Sequence, residues 1–108
     1  MQVEKVIRGG KVAILLSPGF GAGWSTWAYD KHKEFALFDK RLVEAAEAGV
    51  RDIEPIVEDA LGPDNDFYCG GWRDIKVEWL PQGTHFRINE YDGSESLEEF
   101  SISAYHIA

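Results

Sequence analysis

The stretch Ser17-Pro18-Gly19-Phe20-Gly21-Ala22-Gly23-Trp24-Ser25-Thr26-Trp27 concentrates the residue types that could do chemistry. Glycines at alternate positions free the backbone from the usual φ/ψ limits. Successive N–H groups can then converge on an anion. Trp24 and Trp27 offer faces on which a base can stack. Ser25 and Thr26 offer hydroxyls for ribose or phosphate. Arg87 is a candidate charge partner, since a guanidinium can grip a phosphate in two places. The candidate ligand site is therefore Ser17, Gly19, Phe20, Gly21, Gly23, Trp24, Ser25, Thr26, Trp27 and Arg87. The competing reading is structural. In it Phe20, Trp24 and Trp27 complete a core, and Arg87 pairs with Glu78 or Asp74.

Other chemistry is sparse. The glycines read G-x-G-x-G, which is neither the dinucleotide fingerprint nor a P-loop. His32, His85 and His106 lack metal-ligand spacing, so no metal and no cofactor are expected. Ser17 and Ser25 lack a nucleophile elbow. Cys69 sits in an apolar run, Phe67-Tyr68-Cys69, that predicts a buried strand and an inert thiol. A non-enzymatic protein is expected, with a small hydrolase as the catalytic alternative. Trp72 follows Gly70-Gly71 and reads as core, a second aromatic wall or an oligomer contact.

These residues must be positioned by local elements. Val3 to Arg8 and Lys11 to Ser17 read as strands joined by Gly9-Gly10, a pair suited to a type I′ turn. Val12 to Leu16 is apolar on both faces, which predicts a central strand. Pro18 ends it. Ala28 to Ala36 shows no clear period and reads as a loop. Asp39 caps a helix to Ala48 that Gly49 stops. Pro55 to Leu61 makes a second helix, closed by Gly62-Pro63. Asp74 to Leu80 and Thr84 to Tyr91 alternate as strands around Pro81-Gln82-Gly83. Asp92-Gly93 marks a hairpin turn. Leu97, Phe100, Ile102 and Ala104 would anchor a last strand. The expected fold is α+β over one domain, residues 1–108. It has a small, mostly antiparallel sheet, made of an N-terminal hairpin plus a C-terminal meander, with two short helices on one face.

The net charge of −8 argues against a duplex nucleic-acid binder, which needs a cationic footprint. The acids are unevenly placed. Bases exceed acids by two through residue 40, and acids exceed bases by ten after it. An anionic ligand would dock more readily near the first third. The longest apolar run, Val12 to Leu16, is far short of the roughly 20 residues that span a bilayer. No signal-peptide core opens the chain, and a single cysteine suits a reducing compartment. The expected setting is the cytoplasm.

Lys11 to Trp27, Phe38-Asp39-Lys40-Arg41-Leu42-Val43 and Asn89-Glu90-Tyr91-Asp92-Gly93-Ser94-Glu95 resemble blocks of small hypothetical bacteriophage proteins. The resemblance implies a bacterial host's cytoplasm and no particular chemistry. Small phage proteins of this size include anti-defence sponges, homo-oligomers that sequester nucleotide-derived signals without cleaving them. By that analogy the chain would sequester a small nucleotide-like ligand through its Gly/Trp loop. The alternative is a protein–protein interaction module that inhibits a host or phage protein, with the loop purely structural.

Overall fold

The computed structural model describes residues 3–100 and 106–108. The fold is α+β, with two antiparallel three-stranded sheets and three helices.

Strand β1 (Ile7–Arg8) turns at Gly9 and Gly10, both at positive φ, into β2 (Lys11–Leu16). As expected, β2 is central. It lies between β1 and β3 (Lys76–Pro81), and Val12 to Leu15 are fully buried. The chain from Ala28 to Ala36 differs from the expected loop. It forms a 3-10 turn and then helix α1 (Lys33–Phe38). Phe35 and Ala36 pack into one apolar cluster, and Leu37 and Phe38 into the other. A helix wedged between two cores is apolar nearly all round, so it carries no amphipathic period.

Helix α2 (Lys40–Ala48) starts where Asp39 accepts the Arg41 N–H and stops at left-handed Gly49. Helix α3 (Glu54–Leu61) carries Pro55 in its first turn. Its buried stripe includes Ile53 and Val57. The expected strand Phe67-Tyr68-Cys69 is instead irregular chain that ends in a 3-10 turn, Trp72–Asp74. Gly70 and Gly71 follow at once and lead the chain into that turn.

Strands β4 (His85–Tyr91) and β5 (Ser94–Phe100) form the hairpin at Asp92-Gly93, and β6 (His106–Ile107) pairs on the other edge of β4. The expected meander divides here. Strand β3 pairs along all of β2, from Lys11↔Pro81 to Leu16↔Lys76, and not with β4. The reason is the long edge of β2. A buried strand exposes donors and acceptors on two edges; β1 lies on one, and β3 satisfies the whole of the other. Of the anchors expected in the tail, Leu97 is half-buried against the second cluster. Ile102, Ala104 and the Phe100 side chain lie outside the described residues.

The two faces of β2 thus serve two cores. Ala13 and Leu15 meet Trp24, Phe35 and the α2 and α3 side chains, while Val12 and Ile14 meet Phe38 and Phe86. Among the described residues no helix is long and apolar enough to cross a membrane.

Candidate functional site

The loop after β2 folds around a carboxylate from its own chain. Glu95, on β5, is almost fully buried. Its Oε1 accepts the Ser17 N–H at 3.0 Å. Its Oε2 accepts the Trp24 N–H at 2.8 Å, the Thr26 N–H at 3.0 Å and the Thr26 hydroxyl at 2.6 Å. Backbone donors do converge here, from Ser17, Trp24 and Thr26 on either side of the glycines, and the group they hold is internal. All four donors are uncharged, so the carboxylate is stabilised by oriented dipoles and not by a neighbouring cation.

The β4–β5 hairpin reinforces this clasp. Glu95 donates its own N–H to the Ser17 carbonyl at 2.9 Å, and Gly21 donates to the Asp92 carbonyl at 2.6 Å. The Ser94 hydroxyl bonds the Pro18 carbonyl. Gly93 lies so close to the loop that an added Cβ would stand 2.5 Å from the Ala22 nitrogen. Gly71 approaches from the other side, where an added Cβ would run into the Gly23 carbonyl oxygen. Both neighbours are backbone and cannot turn aside. Gly71→Ala is therefore expected to destabilise the fold by about 2 kcal/mol, as overpacked cores do. Urea unfolding checks this, and a midpoint equal to wild type would refute the close approach.

The loop's side chains sort into two groups. Trp24 is fully buried against Phe67 and Trp72, and its indole N–H donates to the Ala36 carbonyl at 2.7 Å. Ser17 and Ser25 are buried too. The Ser17 hydroxyl bonds the Ala22 carbonyl, and the Ser25 carbonyl accepts from Lys33. Gly19 abuts Asp74, and Gly23 lies under the Trp27 ring. Phe20 is 69% exposed and Trp27 43%. Of the candidate residues, Ser17, Trp24 and Thr26 bond Glu95, while Phe20 and Trp27 face solvent. Arg87 is bound to Glu98 on the adjacent strand at 3.1 Å, and not to Glu78 or Asp74. The register sets that choice, because Arg87 and Glu98 are direct cross-strand partners. The Asn89 amide and the Arg87 guanidinium hold the Glu98 carboxyl below its ordinary range.

A hollow of about 430 Å³ opens beside the loop, lined by Ser25, Thr26, Asp30, Lys33, Ile88 and His106. Burial pushes the His106 imidazole down from its ordinary range. Burial, with Glu54 and Asp52 nearby, pushes the Cys69 thiol up. A protonated thiol is a poor nucleophile.

Glu95 is the residue that the candidate list omits. Its signal is parity along the strand. Glu95 stands two residues from Leu97, so both share the inward face of β5. An acid at an inward position needs donors, and the glycine loop supplies them. No family model matches this chain, and no curated protein or solved structure matches it either.

Proposed function

We propose that the chain is a non-enzymatic protein-interaction module, in which the Gly/Trp loop is a structural clasp that displays aromatic side chains to a protein with a basic face. One observation carries this reading. The loop's inward donors are engaged by Glu95, while the side chains it turns outward are large and aromatic. Phe20 and Tyr91 each stand one residue from the Gly21–Asp92 hydrogen bond, and Tyr91 is 78% exposed. Trp27 and Tyr29 continue the exposed aromatics along the chain. Such residues dominate protein interfaces because they remove much apolar area from water at little cost in rotamer entropy. Exposed Glu90 and Asp92 flank Tyr91, Asp30 and Lys31 both follow Tyr29, and the whole chain carries −8. A basic partner surface complements that field. The resemblance to phage proteins favours a host or phage partner inside a bacterium.

The test is a double variant, Phe20→Ala with Tyr91→Ala. Both side chains are exposed, so stability should change by no more than about 0.5 kcal/mol. Immobilised wild type is expected to retain a stoichiometric bacterial protein whose binding weakens as salt rises. The double variant should bind it about a hundredfold more weakly. Equal retention by both proteins, or retention indifferent to salt, would remove the reading.

A further inference from the structure

The fold brings together two cations that lie far apart in the sequence. Helix α2 ends at Gly49, and the Val50 carbonyl accepts the Trp72 indole N–H at 2.8 Å. That bond fastens the Val50-Arg51 step to the Trp72-Arg73 step. Arg51 and Arg73 consequently line one hollow of about 700 Å³, within the size range of small-ligand sites. Val50, Ile75 and Ala46 supply apolar wall, and Cys69 lies at its margin.

The charges around these arginines are unusual for this chain. Of the bases after residue 40, Arg41, Lys76 and Arg87 each stand within about 3.1 Å of a carboxylate on another residue. Arg73 reaches Asp74 only at 3.8 Å, and its side chain is 82% exposed. Arg51, among the described residues, makes no ion pair or side-chain hydrogen bond. An acidic protein with carboxylates to spare has left both guanidiniums of this hollow weakly engaged.

A second hollow, of about 440 Å³, adjoins the first and shares Arg51, Cys69 and Trp72 with it. Its lining adds Asp52, Glu54 and Glu58, whereas the first hollow is lined by no carboxylate. The two together make a groove with a cationic end and an acidic end. An anionic group is drawn to the first and repelled from the second, so a bound molecule has one favoured direction.

We propose that this groove binds a small organophosphate, with its phosphate between Arg51 and Arg73 and its uncharged body over Cys69, Val50 and Ile75. Two guanidiniums match a phosphate dianion in charge and in fork geometry. The apolar wall then favours a phosphate that carries an organic body over the bare ion. The groove shares no residue with the aromatic rim, so this assignment goes beyond the interaction module and either can fail alone.

Calorimetry on the full chain with inorganic phosphate, AMP and adenosine tests it. AMP should bind at least about tenfold more tightly than phosphate, and adenosine should give no measurable binding. Arg51→Gln and Arg73→Gln should each weaken AMP at least about tenfold, the loss of a charge-assisted hydrogen bond. Lys11→Gln makes the same charge change on an exposed strand residue outside the groove and should leave AMP binding unchanged. Thermal melts confirm that each variant is folded. Cys69 gives a second readout, because AMP should slow its alkylation by a maleimide in wild type and not in the arginine variants. Absence of heat and of protection with both phosphate and AMP overturns the site. Equal affinity for phosphate and AMP overturns the organic half of the assignment. Equal weakening by Lys11→Gln reduces it to general attraction and overturns the site as well.

Discussion

Glu95→Ala is expected to cost about 4 kcal/mol of stability and to lower the melting temperature by about 20 °C. The reason is the set of donors that the substitution abandons. The Ser17, Trp24 and Thr26 N–H groups all point at the carboxylate, and Ser17 and Trp24 are fully buried. Each buried donor left without a partner costs about 1–3 kcal/mol. A domain of this size holds only about 5–15 kcal/mol in total. Glu95→Gln should cost less, about 2 kcal/mol, and for an asymmetric reason. Oε2 takes three donors and Oε1 takes one. The amide oxygen can replace Oε2, which leaves the NH₂ group facing the Ser17 N–H alone. The expected order of melting temperatures is wild type, then Gln, then Ala.

The same variant offers a chemical rescue. With the Glu95 side chain gone, the backbone nest is open to a carboxylate from solution. Formate should raise the melting temperature of Glu95→Ala by binding only its folded state, and should leave wild type unmoved. Hydrogen exchange locates the damage. The amides of Ser17, Trp24 and Thr26 should lose protection first, while β2 stays protected until global unfolding. An alanine variant that melts with wild type would mean that the loop's donors are satisfied in some other way.

Much of this scaffold was legible because its signals are local. Gly9-Gly10 and Asp92-Gly93 are turns that need positive φ, and all four residues adopt it. Asp39 and Gly49 bracket α2 by capping chemistry that operates within a few residues. Helix α1 and the β2–β3 pairing have the opposite character. Helix α1 was hidden because it is buried on two sides, and periodicity detects only one-sided burial. The pairing of β3 with β2 joins Lys76 to Leu16, a partnership no turn signal announces. Pro81-Gln82-Gly83 is a turn, as expected, yet it leads from one sheet into the other.

The site divides along the same line. The loop does present converging backbone donors, but they are the Ser17, Trp24 and Thr26 N–H groups on either side of the glycines. What fills them depends on Glu95, 69 residues beyond Thr26. Likewise the excess of acids over bases after residue 40 points anion tolerance toward the N-terminus. Folding places Arg51 and Arg73 on the lining of one hollow inside the acidic part of the chain. Charge summed along a sequence does not report charge summed across a surface.

Trp24→Ala separates a structural loop from a ligand-binding one. The indole is fully buried, meets Phe67 at 5.3 Å and Trp72 at 5.7 Å between ring centroids, and donates to the Ala36 carbonyl. Truncating a buried tryptophan costs about 3–5 kcal/mol, so the variant should melt some 15–25 °C below wild type or fail to fold. Trp24→Phe keeps an aromatic ring in the cluster and forfeits the indole hydrogen bond. It should cost about 2 kcal/mol, largely because the Ala36 carbonyl loses its donor. Phe20→Ala, by contrast, removes a side chain that is 69% exposed and should leave the melting temperature nearly unchanged. That graded series is what a clasp predicts. Its inward aromatic holds the two walls of the core together, and its outward ones face a partner. A Trp24→Ala protein that melts with wild type yet loses binding of a nucleotide would reverse the assignment and return the loop to small-molecule recognition.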